Sequence, residues 1–387
     1  MRDGVVYDPA APEFQARLPE IYRRLRDEAP VYRSDAGWWA LSRFEDVRAA
    51  AGDPATFSSE GTDISQGLLP FLQSLDPPRH DALRALVSRA FTSSRVAAME
   101  PRIRAVAREL LGAFAGAGRG DLLAQYARQL PSRVIGELIG IPPEEREDFL
   151  AWTDALVEAL PGDAPDAARA PAARMYQAFA SLLEARRRAP RDDLASALLA
   201  AEIDGVRLSE PELLGFCFVL VVAGNDTTTN LIANGAVLLA RHPDQRKALA
   251  EAPARLPNAI EEMLRLESPA QALPRVLRRD VTLHGVTMPA GAMVRLVWGA
   301  ANRDPREFAD PDRFDAARAI RRQLGFGHGV HFCLGAHLAR LEARVAFEEL
   351  LARIPDYALA REPGWRRSIW ARAHDAVPVV FEPPPAA

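Results

Sequence analysis

The chain has 387 residues, 48% of them hydrophobic and 26% charged, which supports a large folded core and excludes disordered and fibrous classes. A net charge of -4 excludes the concentrated basic surface that nucleic-acid binding requires, and two cysteines exclude a disulfide framework. No Gly/Ser-rich linker, charge block or internal repeat divides the sequence, so a single domain over residues 1–387 is expected.

The opening Met1-Arg2-Asp3-Gly4 leads into no apolar segment resembling a signal peptide, which places the protein in the cytosol. Val31-Tyr32-Arg33 and Trp38-Trp39-Ala40-Leu41 flank the turn-prone Ser34-Asp35-Ala36-Gly37 and predict two short strands. Helical periodicity then dominates, punctuated by prolines between segments. Gly116-Ala117-Gly118-Arg119-Gly120 is not a dinucleotide fingerprint and reads as a loop. The best-defined helix starts at Ser209, a hydroxyl cap, with Pro211 in the first turn and Glu212 completing a capping box. Nothing interrupts it before His242-Pro243, giving roughly thirty residues or about 45 Å. Its apolar run, Leu213 to Gly224, is too short to span a bilayer, so no membrane is expected, and Cys217 within it reads as a small core residue. Short β-prone runs around Val276, Val281–Leu283, Val286–Met288 and Val294–Val297 follow. The fold class is mainly α with small antiparallel sheets.

Two segments carry chemistry. The long helix is apolar nearly all round from Leu213 to Ala223, then turns polar over Gly224-Asn225-Asp226-Thr227-Thr228-Thr229-Asn230. Polar groups there are costly unless paired or functional, so a seam satisfied by neighbouring helices and a proton-delivery notch are both open readings. Gly224 would let another group approach the backbone, and an aspartate beside a threonine supplies an acid and a relay.

The second segment is Gly325-Phe326-Gly327-His328-Gly329-Val330-His331-Phe332-Cys333-Leu334-Gly335, three glycines in five residues followed by a helical pattern. Cys333 is thereby placed at a helix N-terminus, where dipole and free amides favour the thiolate, the form that binds metal. Zinc held by His328, His331, Cys333 and His337 is an alternative, although no second ligand cluster completes such a site.

At these residues the sequence resembles the cytochrome P-450 superfamily, over essentially the whole chain. Phe326 to Gly335 is similar to that family's haem-binding loop, Ala223-Gly224-Asn225-Asp226-Thr227 to its oxygen-activation motif, and Asp76-Pro77-Pro78-Arg79-His80 with Arg84 to the entry of its haem-facing helix. Glu262 and Arg265 look like its Glu-x-x-Arg pair, and Arg313 matches the arginine that joins them.

The resemblance implies a long central helix over haem b and a monooxygenase with Cys333 as axial ligand to iron. It implies that Ala223, Gly224 and Phe326 touch the cofactor, that His80, Arg84, Arg275 and His331 hold the propionates, and that Asp226 and Thr227 manage protons. Matching substrate-contact positions are Leu68, Leu69, Phe71, Leu72, Val219, Leu220, Gln271, Leu273, Ile369 and Trp370, mostly apolar, with Gly162 to Ala173 as part of a mobile entrance. These fit a medium-sized hydrophobic natural product. Without a flavin, nicotinamide or iron-sulfur signature in the chain, electrons are expected from a separate ferredoxin and its reductase. Arg318, Arg321 and Arg322 would offer a basic docking face, on a monomer. Peroxide-driven, coupling or isomerisation chemistry on the same centre, and a non-catalytic haem sensor, are the rival functions.

Overall fold

A computed structural model describes residues 4–62, 72–159 and 165–383, with the backbone alone at 157–159 and 165–168. The helix Glu210–Arg241 organises the rest. Glu212 accepts the Ser209 backbone N–H at 2.8 Å and its hydroxyl at 2.7 Å, closing the predicted first turn, and His242 ends the helix before Pro243. At 32 residues it is about 48 Å long, and among the described helices it alone is long and apolar enough to cross a membrane. Instead it runs through the core, packed by Gln129–Ile139, Pro165–Arg188, Leu256–Leu266 and Ala336–Arg353.

One glycine sets how closely these helices meet. A Cβ on Gly235 would lie 2.5 Å from Phe347 Cζ and 2.7 Å from Met263 Sδ, so its absence lets three helices converge. The β-prone runs all form strands. Val31–Arg33 and Trp39–Leu41 pair antiparallel, and Leu273–Leu277 pairs antiparallel with both Met293–Leu296 and the edge strand Phe57–Ser58.

The sheet departs from the antiparallel expectation at one seam. Met293–Leu296 runs parallel to Trp39–Leu41, with Val294 opposite Trp39 and Leu296 opposite Leu41. Parallel neighbours need a long crossover, and here most of the helical body supplies it. A second sheet joins Arg119–Asp121 to Pro378–Val380 and Ala358–Leu359, so the end of the supposed glycine loop is a strand. Gly120 is needed there because a Cβ would sit 2.6 Å from the Phe114 ring. Of the segment Gly162 to Ala173, the part from Pro165 onward forms the first turns of the helix Pro165–Arg188, and the rest lies outside the described residues.

Candidate active site

The cysteine loop is fixed against the N-terminal half of the chain. Gly329 has φ +72°, and a Cβ on it would meet the Ala51 carbonyl oxygen at 2.5 Å, so only glycine lets the loop rest on the end of the helix Phe44–Gly52. Cys333 donates its backbone N–H to Phe326 at 2.9 Å. The Phe326 ring lies under the Arg340 guanidinium at 4.5 Å, which Glu261 holds at 2.6 Å. The helix begins at Ala336, three residues beyond Cys333, with Gly335 as its cap. The Cys333 thiol is exposed at the surface of the loop, yet surrounding protein desolvates it enough to push its pKa up. The Gly335 N–H, Arg84 and Arg340 pull the other way without prevailing, so the helix end does not by itself make the expected thiolate.

Beside the cysteine lies a group of two arginines and two histidines. The His80 and His331 rings stand 4.4 Å apart, and His80 is fully buried with Nδ1 against Asp81 Oδ1 at 2.8 Å and Nε2 without a partner. Arg275 is 3% exposed; its Nη1 donates to the carbonyl of its own neighbour Pro274, and burial lowers its pKa to about 10, with Asp76 opposing. Arg84 Nη2 donates to the Phe332 carbonyl at 2.6 Å, and the Ser59 hydroxyl lies 3.0 Å from His331 Nε2. Burial, then Arg275 and His80, hold the His331 imidazole down to about 3. Buried donors of this kind call for an anion. They fit the two carboxylates of a haem, and with the adjacent Cys333 thiol they supply what that group needs. Zinc fits worse: among the described residues no three His, Cys, Asp or Glu side chains stand together as a metal site.

In the central helix the polar seam resolves into three kinds of contact. Gly224 is close-packed, since a Cβ there would lie 2.8 Å from Ile135 Cδ1 of the neighbouring helix. Asn225 Oδ1 accepts the Ser132 hydroxyl at 2.7 Å. Thr227 donates its hydroxyl to the Ala223 carbonyl at 2.7 Å, and Ala223 is exposed in the middle of an otherwise buried helix. Asp226 Oδ1 accepts from Arg366 at 2.7 Å, a partner that no sequence spacing announced.

Glu262 and Arg265 form a completely buried pair, with Nε to Oε2 at 2.6 Å. The arginine that joins them is Arg318, whose Nε donates to Glu262 Oε1 at 3.1 Å, whereas Arg313 contributes only its backbone carbonyl and leaves its side chain exposed. The expected Arg313 guanidinium is thereby corrected. The basic docking face shrinks for the same reason: Arg318 is consumed internally, Arg322 is paired with Glu307 and Glu45 at 2.6 Å each, and Arg321 stays exposed.

The expected substrate contacts divide similarly. Leu68, Leu69 and Phe71 lie outside the described residues, and Leu72 is buried in the main core. Gln271 is also buried: its Oε1 accepts the Tyr22 hydroxyl at 2.6 Å and its amide donates to the Ser268 carbonyl. Val219, Leu220 and Leu273 are partly buried against apolar clusters. Ile369 and Trp370 are half-buried on the loop before the last strand.

The chain matches the family model "Cytochrome P450" over residues 166–354. It is 43% identical to a vitamin D(3) 25-hydroxylase of Pseudonocardia autotrophica, covering 94% of this chain and 93% of that one. It is 40% identical to a mycinamicin IV hydroxylase/epoxidase of Micromonospora griseorubida, covering 93% and 94%. The solved structure of cytochrome P450 CYP109Q5 from Chondromyces apiculatus superposes with a TM-score of 0.93 at 38% identity, over 98% of this chain and 99% of that one. Kinship over nine-tenths of the sequence, on a fold that sets a cysteine beside His80, Arg84, Arg275 and His331, makes the chain a member of the cytochrome P450 family, a haem-dependent monooxygenase.

Proposed function

We propose that the whole chain is one catalytic domain that inserts one oxygen atom of dioxygen into a medium-sized hydrophobic natural product, by hydroxylation or epoxidation. Electrons come from a separate ferredoxin and its reductase in the cytosol. The observation that carries this reading is the buried, unpartnered His80 Nε2 with the buried Arg275 and the half-buried Arg84 beside Cys333. The group they would hold is haem b, which when bound supplies the iron that activates dioxygen.

Each residue then has a defined task. Cys333 would hold the iron of that group through its sulfur, as the thiolate. His80, Arg84, Arg275 and His331 would donate to the propionates, and the Phe326 ring packs against Phe332 in the cysteine loop. Asp226 supplies a proton, and the Thr227 hydroxyl releases the Ala223 carbonyl to pass it toward the reacting oxygen. The relatives named a vitamin D(3) 25-hydroxylase and a mycinamicin IV hydroxylase/epoxidase support the substrate class, as do the apolar Val219, Leu220 and Ile369. The ferrous carbon-monoxide difference spectrum tests the ligand: a strongly red-shifted Soret band is expected, and an imidazole-like band in fresh protein overturns the assignment. With a surrogate ferredoxin system, Thr227→Ala is expected to retain substrate binding but send most electrons to hydrogen peroxide; unchanged coupling removes that role.

A further inference from the structure

The loop between Gly364 and Asp375 folds back on itself and is fastened to the central helix at two points. Arg366 donates its backbone N–H to Ala373 at 2.8 Å, and the Trp365 and His374 rings stack at 3.9 Å between centroids. Arg366 then reaches Asp226, and Asn234, two turns further along the helix, donates its amide to the Arg372 carbonyl at 2.9 Å. Behind the Asp226 carboxylate is a small polar cavity, bounded by Arg128, Asp154, Thr229, Asn230, Arg366 and His374. It offers about 10 Å³ of water-sized space, room for one ordered water.

Three buried polar atoms without protein partners line that cavity: Arg366 Nε, Thr229 Oγ1 and Asn230 Nδ2. Such groups are costly unless satisfied, and three around one water-sized space are what a structural water requires. We propose that Arg366 is a positioning residue for Asp226 and that a water held by Arg366 Nε, Thr229 and Asn230 is the donor from which Asp226 is reprotonated. Protons therefore reach the helix from the side of the C-terminal loop. The Asp226 carboxylate gains a proton at one oxygen as the water takes up another from solvent through the facing titratable groups Asp154 and His374, so that no hydroxide is left behind and no redox change is involved. Arg128 and Arg366 are the cations facing that path. The inference rests on Asp226 acting as the proton source.

Arg366→Met, Arg366→Lys and Thr229→Val in the haem-loaded full chain test it. Without turnover, the Asp226 carboxylate infrared stretch, isolated as the difference from Asp226→Asn, is expected to shift in Arg366→Met and to return in Arg366→Lys. During turnover, Arg366→Met and Thr229→Val are expected to slow the proton-dependent step about tenfold, with a larger solvent deuterium effect and more peroxide. Substrate affinity and the first reduction rate should stay at wild-type values, and Arg366→Lys should recover coupling. An unmoved carboxylate stretch overturns the positioning role, and unchanged coupling and isotope effect in Thr229→Val overturn the water. Because the infrared shift needs no oxygen chemistry, it stands or falls separately from the monooxygenase reading.

Discussion

Two groups of arginines, one around Glu262 and one around His80, differ in how far their donors are spent. Around Glu262, the Arg265 guanidinium donates to both carboxylate oxygens and to the Asn302 and Pro311 carbonyls, while Arg318 and the Asp315 N–H fill the remaining acceptor sites. Around His80, Arg275 is buried and Arg84 and His331 are half-buried, and the buried His80 Nε2 has no partner. A saturated network holds a fold; an unsaturated one waits for a ligand. Burial alone does not separate the two, and the tally of acceptors does.

The largest expected effect breaks the saturated side. Glu262→Gln strands two buried guanidinium groups and should cost about 3–5 kcal/mol of stability whether or not haem is bound. Arg318→Met should share part of that loss, while Arg313→Met should stay within about 0.5 kcal/mol; equal effects in chemical denaturation would restore Arg313 to the network.

Glu342 offers a third condition, a buried charge with neither partner nor ligand. It is 1% exposed, one carboxyl oxygen lacks a partner, and burial pushes its pKa to about 8. Folding therefore favours the protonated form. The protein should lose stability as pH rises from about 4.5 toward 8, because only the unfolded chain ionises there. Glu342→Gln should flatten that slope and be stabler at pH 8 by about 2 kcal/mol or more; parallel melting curves for both proteins across this range would refute the buried acid.

The smallest effect is on the unsaturated side. Arg275→Met should leave the haem-free chain as stable as before or stabler, since it removes a buried charge lacking an adequate partner, yet weaken haem retention by about tenfold. Haem transfer to an acceptor protein measures it. Equal haem loss rates in variant and wild type would move Arg275 into the structural class.

What the sequence made legible was contiguous. The cysteine loop, the Ser209 capping box and each late strand depend on residues within a dozen positions, and the strand pairing followed except at the parallel seam. Arg366, Arg318 and Gln271 owe their roles to partners 140, 56 and 249 positions away, and nothing in local spacing encodes those meetings. Gly224 was legible as a demand for space but not as to which neighbour made it.

The parallel seam has a consequence for synthesis. Trp39–Leu41 finds its partner Val294–Leu296 roughly 255 residues later, so at 5–20 residues per second the N-terminal hairpin leaves the ribosome roughly ten to fifty seconds before that partner is made. The cysteine loop emerges later still and must settle onto Ala51. The two halves of the site therefore come together only after nearly the whole chain has been made.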